Sequence, residues 1–232
     1  MSKRWHQERN FARAEWIAGV AHDIRTPLSM VLGYSATLEK DPTLTKLQQQ
    51  QLSIVKSQSE LIKKSIADIN LINKLDFNYI EKKRFPVAPI LREVLADVIN
   101  CDLEEKYEFE LQLPDKPIFL MGDADLFKRL IQNLIRNSLK HNPNGCAINI
   151  SACNKKKEVH IIIEDTGYGF SQDKLKLLKS DTSNLNLQAN HGLGLKIVRK
   201  IVVLHNSKIN FSNTSIGGAC VKMSFNCSKN GS

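Results

Sequence analysis

Residues 17–38 read IAGVAHDIRTPLSMVLGYSATL, and their spacing sets the architecture of the first part of the chain. Ile17, Ala21, Ile24, Leu28, Val31, Ser35 and Leu38 alternate by four and three, a heptad seam over three repeats. Asp41-Pro42-Thr43 breaks the pattern, and Thr43 is the expected cap of the helix that follows. A second apolar set, Leu44, Leu47, Ile54, Leu61, Ile62, Ile66, Ile69, Ile72 and Leu75, runs without Pro or Gly to about Lys82. Two such helices joined by a tight turn make an antiparallel hairpin, each roughly 45–55 Å long at about 1.5 Å per residue. One hairpin cannot bury two apolar faces, so a homodimer with a four-helix bundle is predicted.

Beyond Lys82-Lys83-Arg84-Phe85-Pro86 the pattern changes. Helices are predicted at 90–101, 123–140 and 193–204, with Gly122-Asp123 as the start signal of the middle one. Strands are predicted at 106–113, 117–121, 146–153, 158–165, 208–213 and 219–225, with 155–157 as a lysine hairpin tip. Mixed helices and mostly antiparallel strands imply an α+β class and a layered sandwich.

The composition agrees with folded domains. The chain has 232 residues, 42% of them hydrophobic and 25% charged, which excludes wholesale disorder. No apolar run approaches the roughly 20 residues that span a bilayer, and Met1-Ser2-Lys3-Arg4-Trp5-His6 has no secretory core. The net charge of +9 comes from dispersed cations without interleaved aromatic residues, so no nucleic acid is expected as a partner. Cys101, Cys146, Cys153, Cys220 and Cys227 are an odd number at unsuitable spacings for a disulfide framework; they are read as buried thiols in a reducing compartment.

Four groups of residues carry chemistry. His22 stands one position past the seam residue Ala21, at the edge of the core, with Asp23 beside it. A carboxylate that accepts Nδ1–H leaves the Nε2 lone pair free as a nucleophile. Thr26 lies one turn on and could orient a water, and Pro27 removes a helix hydrogen bond next to the pair. Asn133, Asn137 and Lys140 fall on an arc of roughly 60° of one helix. Two amides and an ammonium in line suit a metal-bound polyphosphate. Asp165 ends an apolar strand and is followed by Gly167 and Gly169, a fixed acceptor beside a close-approach backbone, suited to an adenine amino group. Gly192-Leu193-Gly194 opens a helix whose N-terminus favours phosphate.

In order and spacing these groups resemble the sensor histidine kinases of bacterial two-component systems. His22–Leu28 is similar to their H box, 133–141 to the N box, 165–169 to the G1 box and 190–195 to the G2 box; Ser215-Ile216-Gly217-Gly218-Ala219 resembles a degenerate last glycine box. The resemblance implies a dimerisation and phosphoacceptor hairpin over 10–82. It implies an ATP-binding domain of the Bergerat type, an α/β sandwich shared with certain chaperones and gyrases, over 86–227. It also implies that His22 is the phosphoacceptor, Asp23 its orienting base and Thr26 the phosphatase residue. Asn137, supported by Asn133, would ligate Mg²⁺, and Lys140 and His141 would contact phosphate. Asp165 would bind the adenine of ATP, with Gly167, Gly169, Gly192, Leu193 and Gly194 lining the nucleotide. The partner implied is the receiver domain of a response regulator. The location implied is the cytoplasmic face, with a sensor region upstream in the membrane. A Bergerat-type ATPase and a non-catalytic regulator-binding scaffold are the competing readings. The chain departs from the family in Asn190 for a glycine, in lacking the phenylalanine box before the ATP lid, and in a short lid, 181–190, with no Lys or Arg.

Overall fold

A computed structural model describes residues 2–76, 80–100, 106–155, 158–180 and 192–226, with side chains from Glu15 onward. Cys101, Cys227, Lys156, Lys157, His191 and the expected lid at 181–190 lie outside the described residues. The chain divides into two compact units, Met1–Phe77 and Asn78–Ser232.

The first unit is a helical hairpin, α1 (Ser2–Leu38) and α2 (Lys46–Leu75). Helix α1 runs through Pro27, which has no N–H to give the Asp23 carbonyl. Thr43 does not cap α2. Its N–H and hydroxyl instead donate to Asp41 Oδ1 at 2.9 and 2.7 Å, closing a local turn and holding the Asp41 carboxyl below its usual range. The cap is Thr45, two residues later, in a reciprocal box with Gln48: Thr45 Oγ1 accepts from the Gln48 N–H at 3.3 Å, and Gln48 Oε1 accepts from the Thr45 N–H at 2.9 Å. The alternating seam splits into two lines. Ala21, Leu28 and Ser35, seven apart, are buried. Ile24, Val31 and Leu38, also seven apart, are exposed, as are Leu47, Ile54 and Leu61 and again Val55, Ile62 and Ile69 on α2.

The second unit is a two-layer sandwich. Its five-stranded sheet has the order β2-β4-β5-β7-β6, from β2 (Tyr107–Gln112), β4 (Cys146–Lys155), β5 (Glu158–Asp165), β6 (Lys208–Asn213) and β7 (Ala219–Asn226). All pairs are antiparallel except β2 with β4, which is parallel because the chain passes through β3 and α4 between them. A small antiparallel pair, β1 (Lys83–Pro86) with β3 (Phe119–Gly122), lies apart from that sheet. The helices are α3 (Val87–Ile99), α4 (Ala124–His141), α5 (Gln172–Ser180) and α6 (Gly192–Leu204). Alternate residues Ile148, Ile150 and Ala152, then Val159, Ile161 and Ile163, then Val221, Met223 and Phe225 are buried on one face. Phe127 of α4 meets Phe225 edge-on at 5.7 Å and Phe85 at 5.4 Å between centroids, tying the helix layer to the sheet and to the β1–β3 pair.

Strand β1 and helix α5 have no counterpart in the sequence reading: one is four residues long, and the other carries only two buried leucines, Leu175 and Leu178. The cysteines are corrected in part. Cys146 and Cys220 are half-buried, but Cys153 is exposed, because it lies towards the β4–β5 hairpin tip on the face opposite Ala152.

Candidate functional site

The nucleotide cleft implied by the sequence is built from the end of β5. Residues 159, 161 and 163 point into the core, and the two-residue period puts Asp165 on the same face. Asp165 is 4% exposed and accepts three hydrogen bonds. Oδ2 accepts from the Ser138 hydroxyl at 2.7 Å, and Oδ1 accepts from the backbone N–H groups of Gly167 and Ala219, both at 3.1 Å. Three donors hold the carboxylate in one orientation at the foot of a cleft lined by Leu134, Asn137, Ile163, Phe170, Leu195 and Phe211 among others.

Helix α4 supplies the facing wall. Asp123 caps it, accepting from the Leu126 N–H at 3.0 Å, and a dry stripe of Phe127, Leu130, Ile131, Leu134 and Ile135 sets its rotation. The predicted polar arc then climbs from core to solvent. Asn133 is 4% exposed and donates Nδ2–H to the Arg129 carbonyl at 2.8 Å; Asn137 is half-buried on the cleft wall; Lys140 and His141 are exposed at its end. Asn133 also explains Gly194, where a Cβ would press on Asn133 Oδ1. Gly192 and Leu193 begin the same helix, α6, and Leu195 reaches the cleft.

The glycine loop after β5 is latched from both sides. Asn142 is 2% exposed, donates Nδ2–H to the Ser138 carbonyl at 2.9 Å and accepts the Tyr168 N–H on Oδ1 at 3.0 Å. A Cβ on Gly167 would overlap that amide. Gly169 has φ +68°, and a Cβ there would overlap the Gly217 carbonyl, so the loop and the 215–219 segment close on each other. Asn213 bonds both the N–H and the carbonyl of Phe170, at 2.8 and 2.9 Å.

Ser138, Asn142, Asn213 and Lys174 have no role in the sequence reading, and Ala219 enters it only as the end of the degenerate glycine box, not as a donor to Asp165. The Asn142-Pro143-Asn144-Gly145 turn signal marks the end of α4 but says nothing of the latch. Lys174 enters the cleft from α5, with Nζ 3.4 Å from His141 Nε2. Burial, then Lys174 and Lys140, push the His141 pKa down against the pull of Asp165; burial, then Lys140, push Lys174 down.

On the hairpin, His22 and Asp23 are 74% and 83% exposed at the side chain, with Nδ1 3.5 Å from Asp23 Oδ1. The geometry leaves Nε2 outward. The hydroxyls of Ser29 and Thr37 bond the carbonyl four residues back, at 2.9 and 3.0 Å, whereas Thr26 is exposed and its hydroxyl makes no hydrogen bond among the described residues. No helix among the described residues is long and apolar enough to cross a membrane.

Comparisons with known proteins match both units. Residues 12–78 match the His Kinase A (phospho-acceptor) domain, and residues 122–229 match the histidine kinase-, DNA gyrase B- and HSP90-like ATPase family. The chain is 32% identical over 227 residues to the sensor histidine kinase YvrG of Bacillus subtilis, covering 93% of this chain and 39% of that protein. It is 26% identical over 219 residues to the signal transduction histidine-protein kinase BaeS of Escherichia coli, covering 90% and 46%. It therefore spans less than half the length of either relative. Among solved structures, full-length ShkA in complex with AMPPNP superposes with a TM-score of 0.71 at 22% identity, over 92% of this chain and 46% of that one. The histidine kinase AdeS of Acinetobacter baumannii superposes at 0.63 and 18% identity, over 90% and 98%.

Proposed function

The chain belongs to the sensor histidine kinases, and from that premise we propose that it is an ATP-dependent histidine autokinase core that passes phosphate to a response-regulator aspartate. In this reading residues 10–82 dimerise and carry the phosphoacceptor, and residues 86–227 bind ATP. The observation that carries it is the buried Asp165, fixed by three donors beneath an α4 face that leads from Asn133 to His141. A carboxylate with no remaining freedom accepts the exocyclic amine of adenine, which places the phosphates along Asn137 and Lys140 towards the start of α6, where Gly192, Leu193 and Gly194 leave backbone N–H groups. Gly167 and Gly169 let the loop close on Asn142 and Gly217, which fixes the backbone beside the base.

The amide of Asn137 fits a Mg²⁺ ion that takes its other ligands from phosphate and water; among the described residues no group of His, Cys, Asp and Glu forms a closed cage. When bound, the ion neutralises charge on the phosphates. His22 Nε2 attacks the γ-phosphorus: the P–N bond forms, the bond to the bridging oxygen breaks, and ADP leaves with that electron pair. Asp23 holds the Nδ1 proton and stabilises the positive charge that develops on the ring. Transfer to a receiver carboxylate returns the lone pair to Nε2. The free Thr26 hydroxyl, one turn from His22, orients a water for hydrolysis of the aspartyl phosphate. A membrane-borne sensor upstream and a homodimer through the exposed hairpin stripes complete the proposal.

The experiment is incubation with γ-labelled ATP and Mg²⁺. A label on the protein that is acid-labile and base-stable identifies a P–N bond. Nucleotide binding without any label would favour an ATPase, and neither binding nor label would leave a scaffold.

A further inference from the structure

Two basic side chains, His141 and Lys174, line one wall of the cleft, and Lys140 lies near both. His141 and Lys140 end α4, and Lys174 stands in the first turn of α5, its Nζ 3.4 Å from His141 Nε2. Among the described residues no carboxylate forms an ion pair with any of the three; Asp165 acts on His141 only at longer range. Lys174 is also placed against the dipole of its own helix, since a first turn favours anions. Its position is imposed by packing. Leu175 and Leu178 bury the inner side of α5, Ser171 Oγ accepts the Lys174 N–H at 3.3 Å, and the ammonium lies 5.6 Å from the centroid of Phe170. The ammonium meets Nε2 of the His141 ring, which with its pKa pushed down is a neutral acceptor and not a counter-ion, and Lys174 is half-buried on the cleft wall with Lys140 near it.

A half-buried ammonium on a concave surface beside a second lysine is complementary to an anion, which would relieve the repulsion between Lys174 and Lys140 and the cost of burial together. We propose that Lys174, with His141 beside it, is a phosphate-binding cation of the nucleotide site, donating Nζ–H to a phosphate oxygen of the bound nucleotide. Cationic contact then comes from α5 in a chain whose 181–190 segment contains no Lys or Arg. The inference rests on the nucleotide-site reading above and adds a residue from outside the four sequence groups.

The test is calorimetric titration of the full chain with adenosine, ADP and a non-hydrolysable ATP analogue, each with Mg²⁺, for the wild type, Lys174→Gln and Lys174→Arg. Thermal melts confirm that both variants fold. A charge-assisted hydrogen bond at a partly exposed site is worth about a tenfold change in affinity. Lys174→Gln should therefore weaken ADP and the ATP analogue about tenfold, leave adenosine within about twofold, and be rescued largely by Lys174→Arg. Unchanged ADP affinity in Lys174→Gln, with a wild type that binds, would overturn this inference alone. Equal losses for adenosine and ADP would also overturn it, because they would make Lys174 a packing residue. A wild type that binds none of the three would overturn the nucleotide-site reading and this inference with it.

Discussion

The hairpin and the sandwich solve the same problem in opposite ways. In the sandwich, the site's polar groups are buried and paired by its own chain: Asp165 has three donors, and Asn133 and Asn142 are bonded and almost wholly covered. In the hairpin, His22 and Asp23 stand in solvent, and heptad lines such as Ile24, Val31 and Leu38 lie open beside the closed line of Ala21, Leu28 and Ser35. A sheet with helices on it can enclose a core within one copy, whereas two helices have only one mutual seam. On the proposed reading, the nucleotide site is preorganised by folding, and the phosphoacceptor site would be completed by association and by encounter with partners.

His22→Gln tests the division of labour most severely. It should abolish phosphohistidine formation, because the amide has no nucleophilic lone pair, while ADP affinity stays within about twofold, because the nucleotide groups belong to the other unit. Residual acid-labile label on the mutant would break the contrast.

Asp165→Asn probes the preorganised side. The carboxylate accepts three hydrogen bonds; in the amide, Oδ1 keeps the two backbone donors and Nδ2 donates to the Ser138 hydroxyl, but Nδ2 then faces the adenine amine donor to donor. ADP and ATP should both weaken by about 10–100-fold, since a buried polar group left unpaired costs about 1–3 kcal/mol. Equal ADP binding by mutant and wild type would remove Asp165 from adenine recognition.

Val31→Glu addresses the open stripe. Val31 is 40% exposed on the hairpin, so a single copy should tolerate the change. Burial of such a side chain contributes on the order of 1–2 kcal/mol, and a buried carboxylate is worse, so dimer dissociation should rise at least about tenfold in sedimentation equilibrium. An unchanged dimer would place the association surface elsewhere.

The smallest effect concerns His205. Burial pushes its pKa below the usual value, and its geometry requires the neutral ring: Nδ1–H donates to the Ile201 carbonyl at 2.8 Å, and Nε2 accepts the Asp123 N–H at 3.1 Å. A depressed folded-state histidine contributes stability that is fully present above its unfolded pKa of about 6.5. That contribution declines as pH falls below this value towards the folded pKa. Melting temperature should decrease modestly from pH 7 to pH 5, and the slope should shrink in His205→Gln, whose amide both donates and accepts. A slope identical in the two proteins would remove His205 from the acid response.

Much of this was legible because it is periodic or local. The heptads of α1, the alternation of β4 and β5 and the Gly122-Asp123 start of α4 are each written within one element. Thr43 misled because Asp41 offered it a nearer partner, and the capping box with Gln48 belongs to Thr45. Helix α5 went unread because nine residues with two inward leucines carry little periodic signal, and Lys174 went with it. The two halves of the heptad seam look alike in sequence; which half is buried depends on the rotation of α1 against α2.

Residue order alone settled the helical hairpin, the following α+β sandwich and the polar line of Asn133, Asn137 and Lys140, because repeats of 3.5, 3.6 and 2 residues translate directly into faces. Folding in three dimensions decided the rest. It brought Ser138 and Ala219, 27 and 54 residues from Asp165, onto one carboxylate. It set Asn142 under Gly167 and put Lys174 against His141, 33 residues away in the chain. Contacts of that kind depend on how strands register and how helices lie across the sheet, and no local period encodes the meeting of two distant side chains.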